Sequence, residues 1–128
     1  MSEIVTGVDW IAVIVGAVLA FMLGWLWYSP KLFGRKWAEG VGLDPAGPAK
    51  LPAAAMAFQA AGTFLLSWVV GITAKNNALL TIILVAVTIM ALIAAGGNFT
   101  NKSRYAITAE AGFVAAMVIV MIAVQGIL

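Results

Sequence analysis

The sequence predicts an all-α integral membrane protein: a four-transmembrane-helix bundle with a short interfacial amphipathic helix between helices 1 and 2. Three observations predict it. Of 128 residues, 64% are hydrophobic and only 9% are charged, against roughly 25% charged in soluble domains. The mean hydropathy is +1.09, and a small water-soluble domain exposes too much of its surface to hide that much apolar material. The apolar residues also fall into four runs, at about 9–28, 52–74, 77–97 and 105–127. Each run is about 20 residues, which at ~1.5 Å per residue crosses a ~30 Å hydrocarbon layer. None alternates like a barrel strand. Backbone in lipid must satisfy its own hydrogen bonds, so the runs read as helices. A single transmembrane domain is expected over residues 1–128.

The first run resembles a signal peptide only in length. No basic residue precedes it, and it ends in Trp25-Leu26-Trp27-Tyr28 with no small-residue cleavage site, so it is read as a mature helix. Pro30 stops it, because proline cannot continue the backbone ladder. The connection that follows is the longest. Its first half, about 31–41, repeats Phe33, Trp37 and Val41 every four residues and turns Lys31 and Arg35 away, the pattern of an interfacial helix. Its second half, 42–48, is rich in glycine and proline and reads as turns. Pro52 suits the first turn of the second helix. Asn76-Asn77 form a tight turn and cap the third helix. Gly96-Gly97-Asn98 close the third helix, and Ser103 caps the fourth.

Basic residues give an orientation. Lys31, Arg35, Lys36 and Lys50 lie in the first loop, Lys102 and Arg104 in the third, and Lys75 alone on the other side. The positive-inside rule then places loops 1–2 and 3–4 in the cytoplasm and both termini outward, in the periplasm if the membrane is a bacterial inner membrane. Such a bias argues against a dual-topology multidrug transporter.

Composition also excludes chemistry. There is no His and no Cys, which removes the usual ligands of zinc, haem and iron–sulfur clusters and the commonest general base. No glycine-rich phosphate-binding motif appears. No cofactor and no metal are expected, and no enzyme activity. The basic isoelectric point rests on seven basic residues against five acidic ones, so no nucleic-acid partner is expected either. The expected partners are the lipid bilayer and other membrane protein chains.

The run Trp25-Leu26-Trp27-Tyr28-Ser29-Pro30-Lys31-Leu32-Phe33-Gly34-Arg35-Lys36-Trp37 resembles the signature of small bacterial membrane proteins catalogued as domain of unknown function 1761. There a helix ends in Trp-Tyr-Ser/Gly-Pro, followed by Leu-Phe-Gly-basic-x-Trp. Trp10-Ile11-Ala12 resembles the family's opening. Residues 98–104 with Ala111-Gly112-Phe113 resemble its last loop and helix, although the basic-aromatic character of that loop is only partly kept. The resemblance implies four membrane helices and carries no catalytic residues.

Three groups of residues are candidates for more than lipid contact. Trp25, Trp27, Tyr28 and Trp37 suit interfacial anchors; with Lys31, Arg35 and Lys36 they form the alternative, a lipid-headgroup site. Ala12, Gly16, Ala20 and Gly24 make a small-residue stripe that lets another helix approach closely, with its partner left open. Gln59, Thr63 and Ser67 lie on one face of helix 2, and Glu110 is the one acid well inside a membrane run. A carboxylate in hydrocarbon is costly unless a basic residue reaches it, and Arg104 and Lys102 are the near candidates. Glu110 is expected to face the bundle interior with Gln59, at similar depth, as its favoured partner. The function expected is structural or accessory, as a helix-packing subunit of a homo-oligomer or larger complex. The alternative is a small-solute or ion transporter or channel with Glu110 and Gln59 in a polar path.

Overall fold

A computed structural model describes residues 2–29, 31–42 and 53–128. It is 84% helix, with no strand among the described residues. Its elements are α1 (Ser2–Val5), α2 (Trp10–Trp27), α3 (Gly34–Gly40), α4 (Ala53–Lys75), α5 (Leu79–Phe99) and α6 (Arg104–Ile127). The four long helices, α2, α4, α5 and α6, are each long and apolar enough to cross a membrane. Pro30, Lys50, Pro52 and the turn-rich stretch 43–48 lie outside the described residues.

The caps follow side-chain chemistry. Asp9 accepts from the Ala12 N–H at 3.1 Å and opens α2. Ser103 accepts from the Ala106 N–H at 3.0 Å and opens α6, satisfying donors that the helix itself leaves free. Two sequence expectations are corrected. Asn76 and Asn77 do not cap α5: Asn77 turns the chain with φ of 52°, and the Asn76 amide donates to the Ile72 carbonyl at 3.0 Å, closing α4. Gly96-Gly97 do not end α5, which runs on to Phe99. Ile107 packs where a Gly97 side chain would stand, so the glycine makes a helix contact.

α6 is the central helix. Ala106, Ala109, Phe113, Val114, Met117, Val118, Met121 and Val124 are all buried along it. Phe113, Val114, Met117, Val118 and Met121 meet Ala20 of α2, Val70 of α4, and Ile82 and Ala86 of α5 in one core. α5 buries only Ile82, Ala86 and Gly97 and leaves Leu80, Leu84 and Leu92 more than 60% exposed. An apolar face of that extent suits lipid and not water. α1 folds back on the far end of α4, where the Trp68 indole donates to the Ile4 carbonyl at 2.6 Å and Lys75 to the Thr6 carbonyl at 2.6 Å. α4 itself is divided. Its buried residues are Thr63, Ser67, Val70, Gly71 and Thr73, while nine of the ten residues from Ala53 to Gly62 are exposed.

Lys31, Arg35, Lys36, Lys102 and Arg104 gather at the end of the bundle that carries α3 and the α5–α6 loop; Lys75 stands at the opposite end. The first is called the basic end below.

Candidate functional site

The basic end is organised by the residues that join α2 to α3. Past Trp27 the chain folds sharply back. The Leu32 and Gly34 N–H groups donate to the Ser29 carbonyl at 3.0 and 2.9 Å, and the Phe33 N–H to the Trp27 carbonyl at 3.1 Å. A side chain at Gly34 would collide with the Tyr28 carbonyl, so this turn requires glycine. At the other end of α3, Gly40 lies against the Ser103 side chain, and its carbonyl accepts from the Ser103 N–H at 3.0 Å. Two bare backbones thus let a seven-residue helix dock on the start of α6.

Docking brings Trp37 over Glu110. The indole N–H donates to Glu110 Oε2 at 2.8 Å. Lys102 reaches both carboxylate oxygens, at 3.0 and 3.1 Å, and its own N–H is held by the Gly97 carbonyl at 2.9 Å. The Glu110 side chain is 16% exposed and that of Lys102 is 32%, so the pair sits at the edge of the interior. Aromatic rings wall it in. Tyr28 stands edge-on to Trp37 and Phe113, with ring centroids 5.0 and 5.3 Å apart. Trp27 lies 4.7 Å from Phe33 and donates to the Ala109 carbonyl at 2.9 Å. Chemically, the arrangement neutralises an acid in place and occupies both its oxygens with charge-assisted hydrogen bonds.

The sequence candidates separate accordingly. Among the four aromatic residues read as interfacial anchors, only Trp25 turns outward, 68% exposed; Trp27, Tyr28 and Trp37 are half-buried because α3 folds onto α6. Lys31 and Arg35 are exposed, and Lys36 lies 5.4 Å above the Tyr105 ring. The small-residue stripe faces its own bundle. Ala12, Gly16 and Ala20 are buried and Gly24 half-buried; Gly16 meets Ser67 and Met121, and Gly24 meets Phe113. Thr63 and Ser67 are buried, and Ser67 donates to the Val13 carbonyl at 2.7 Å, tying α4 to α2.

The expected Glu110–Gln59 pairing is not what forms. Gln59 is exposed and donates to Thr63 Oγ1 of its own helix at 3.1 Å. Among the described residues its half of α4 is exposed apart from the half-buried Met56, whereas α3 and Lys102 come to the acid. Lys102 was legible as a near cation; Trp37 as a donor, and Gly34 and Gly40 as docking points, were not. The signal for two of them was present: Gly34 and Trp37 both lie within the Leu-Phe-Gly-basic-x-Trp motif.

The family described as Protein of unknown function (DUF1761) matches residues 11–126. No curated protein and no solved structure matches the chain.

Proposed function

The chain belongs to this family of unknown function, and from its own geometry we propose that it is a structural or accessory membrane protein, a helix-packing subunit with no enzymatic activity. The observation that carries this reading is the closure of Glu110. Trp37 and Lys102 hold its two oxygens, and the acid joins α3, α6 and the α5–α6 loop. Ser67 and Trp27 are likewise used to tie one helix to another. What supports this reading over a transporter is that Glu110 and Gln59 have separate partners and share no hydrogen bond. We further propose that the basic end lies in the cytoplasm and both termini outside, by the positive-inside rule.

The test reconstitutes the purified chain in liposomes carrying a pH gradient and compares it with Glu110→Gln. The packing role predicts no proton flux from either, and a melting temperature for Glu110→Gln above that of Glu110→Leu. Flux that Glu110→Gln abolishes in a folded protein would replace this reading with the transporter.

A further inference from the structure

Two of the described cations are used inside the fold. Lys102 is turned onto Glu110, and Lys75 donates to the Thr6 carbonyl at the opposite end. The others, Lys31, Arg35, Lys36 and Arg104, are all exposed, and all lie on α3, the turn before it, or the first residue of α6. Glu39, also exposed, is the one acid on α3. Among the described residues the single ion pair is Lys102–Glu110, so no described carboxylate pairs with any of the four. Two elements bring these charges together. Lys36 Nζ stands 5.4 Å from the centre of the Tyr105 ring, the Phe33 ring lies 6.4 Å from the same ring, and Arg104 precedes Tyr105 in the chain. Their depth is marked as well. Trp25, near the end of α2, and Tyr105, at the start of α6, are both exposed, and such rings settle at the level of the lipid headgroups. Leu32, exposed beside Lys31, adds apolar surface there.

We propose that α3 and the start of α6 form a surface that binds the phosphate-bearing headgroups of anionic phospholipids, with Lys36 and Arg104, beside Tyr105, at its centre. The occupant follows from where the charges stand. Four helices fit to cross a membrane put the exposed side chains at their ends among headgroups, and basic residues at that level attract acidic lipid. The groups suit a phosphate. A guanidinium can take two phosphate oxygens at once, an ammonium adds a compact point charge, and a phenol can donate a further hydrogen bond. Insertion by itself asks only that basic residues lie in a loop. It does not ask that Lys36 of α3 be held over a ring of α6, a contact that fixes the ammonium in place next to Arg104. The proposal stands whether the bundle packs or transports, because Glu110 and its partners take no part in it.

The test titrates the purified full chain in detergent micelles with radiolabelled phosphatidylglycerol or phosphatidylcholine, and counts the lipid that elutes with the protein on gel filtration. Phosphatidylglycerol should bind the more tightly. Lys36→Gln and Arg104→Gln should each weaken it about fivefold, the loss expected for one charge near a lipid surface, with phosphatidylcholine binding and the melting temperature unchanged. Lys36→Arg keeps the charge and should bind as wild type does. Lys75→Gln makes the same charge change at the other end and should leave phosphatidylglycerol binding as it is. Equal affinity for the two lipids overturns the proposal. So does an equal loss from Lys75→Gln and Lys36→Gln, which would reduce the effect to net charge. Inorganic phosphate that displaces the lipid, where sodium chloride of the same ionic strength does not, would make this a site for free anions and overturns the lipid as its occupant. One measurement needs no substitution. Raising sodium chloride about tenfold should release phosphatidylglycerol from the wild-type chain and spare phosphatidylcholine, because exposed charges are screened; binding indifferent to salt overturns the proposal.

Discussion

Glu110 and Gln59 each lie six residues into a helix that starts from the basic end, yet the fold treats them oppositely. Glu110 is enclosed. α3 folds over it, Trp37 and Lys102 bind it, and the Tyr28 and Phe113 rings stand beside Trp37. Gln59 is exposed, and among the described residues its side chain bonds only Thr63, on its own next turn. The difference is one of cost. A carboxylate far from water is tolerable only when paired and hydrogen-bonded, so its partners must be built into the same chain. A neutral amide costs less to leave with a single bond.

Substitutions at the two sites should therefore separate widely in stability, read as thermal unfolding in detergent by circular dichroism. Glu110→Leu should have the largest effect, about 3 kcal/mol, because it leaves the Lys102 ammonium and the Trp37 N–H without their acceptor. Gly34→Ala comes next, at about 2 kcal/mol. The added carbon cannot share space with the Tyr28 carbonyl, so the turn opens and α3 leaves α6. Its signature is a red shift in Trp37 emission, tested in a chain whose other tryptophans are replaced by Phe. Trp37→Phe keeps the ring beside Tyr28 and removes only the N–H, which should cost about 1 kcal/mol. Gln59→Leu in the isolated chain should change stability by less than about 0.5 kcal/mol. A loss at Gln59 as large as at Glu110 would break the comparison, showing that α4's first half packs within the chain after all. A Gly34→Ala variant as stable as wild type would show that α3 does not need its close turn.

The sequence alone determined the class and the spans. Four apolar runs near 20 residues, with few charges, have no stable arrangement in water, and only helices satisfy their backbones in lipid. The resemblance around Trp25–Trp37 pointed to the right family for the same reason that the structure uses those residues: the motif builds the turn at Gly34 and sets Trp37 on α3. Helix ends were legible where one side chain does the work, as at Ser103. They were misread at Asn76-Asn77 and Gly96-Gly97, where the same residue types serve either a turn, a cap or a close contact, and only the neighbouring helix decides which. Tertiary structure also decided the partners. That Glu110 lies about one third of the way along a standard span was a matter of counting; that Trp37, 73 positions earlier in the chain, reaches it depends on α3 docking through two glycines whose role no periodicity reveals. The same holds for Gln59. Its depth is set by its place in the run, but its exposure follows from α4 packing only from Thr63 onward, and a helix's distance from its neighbours is not written in its own residues.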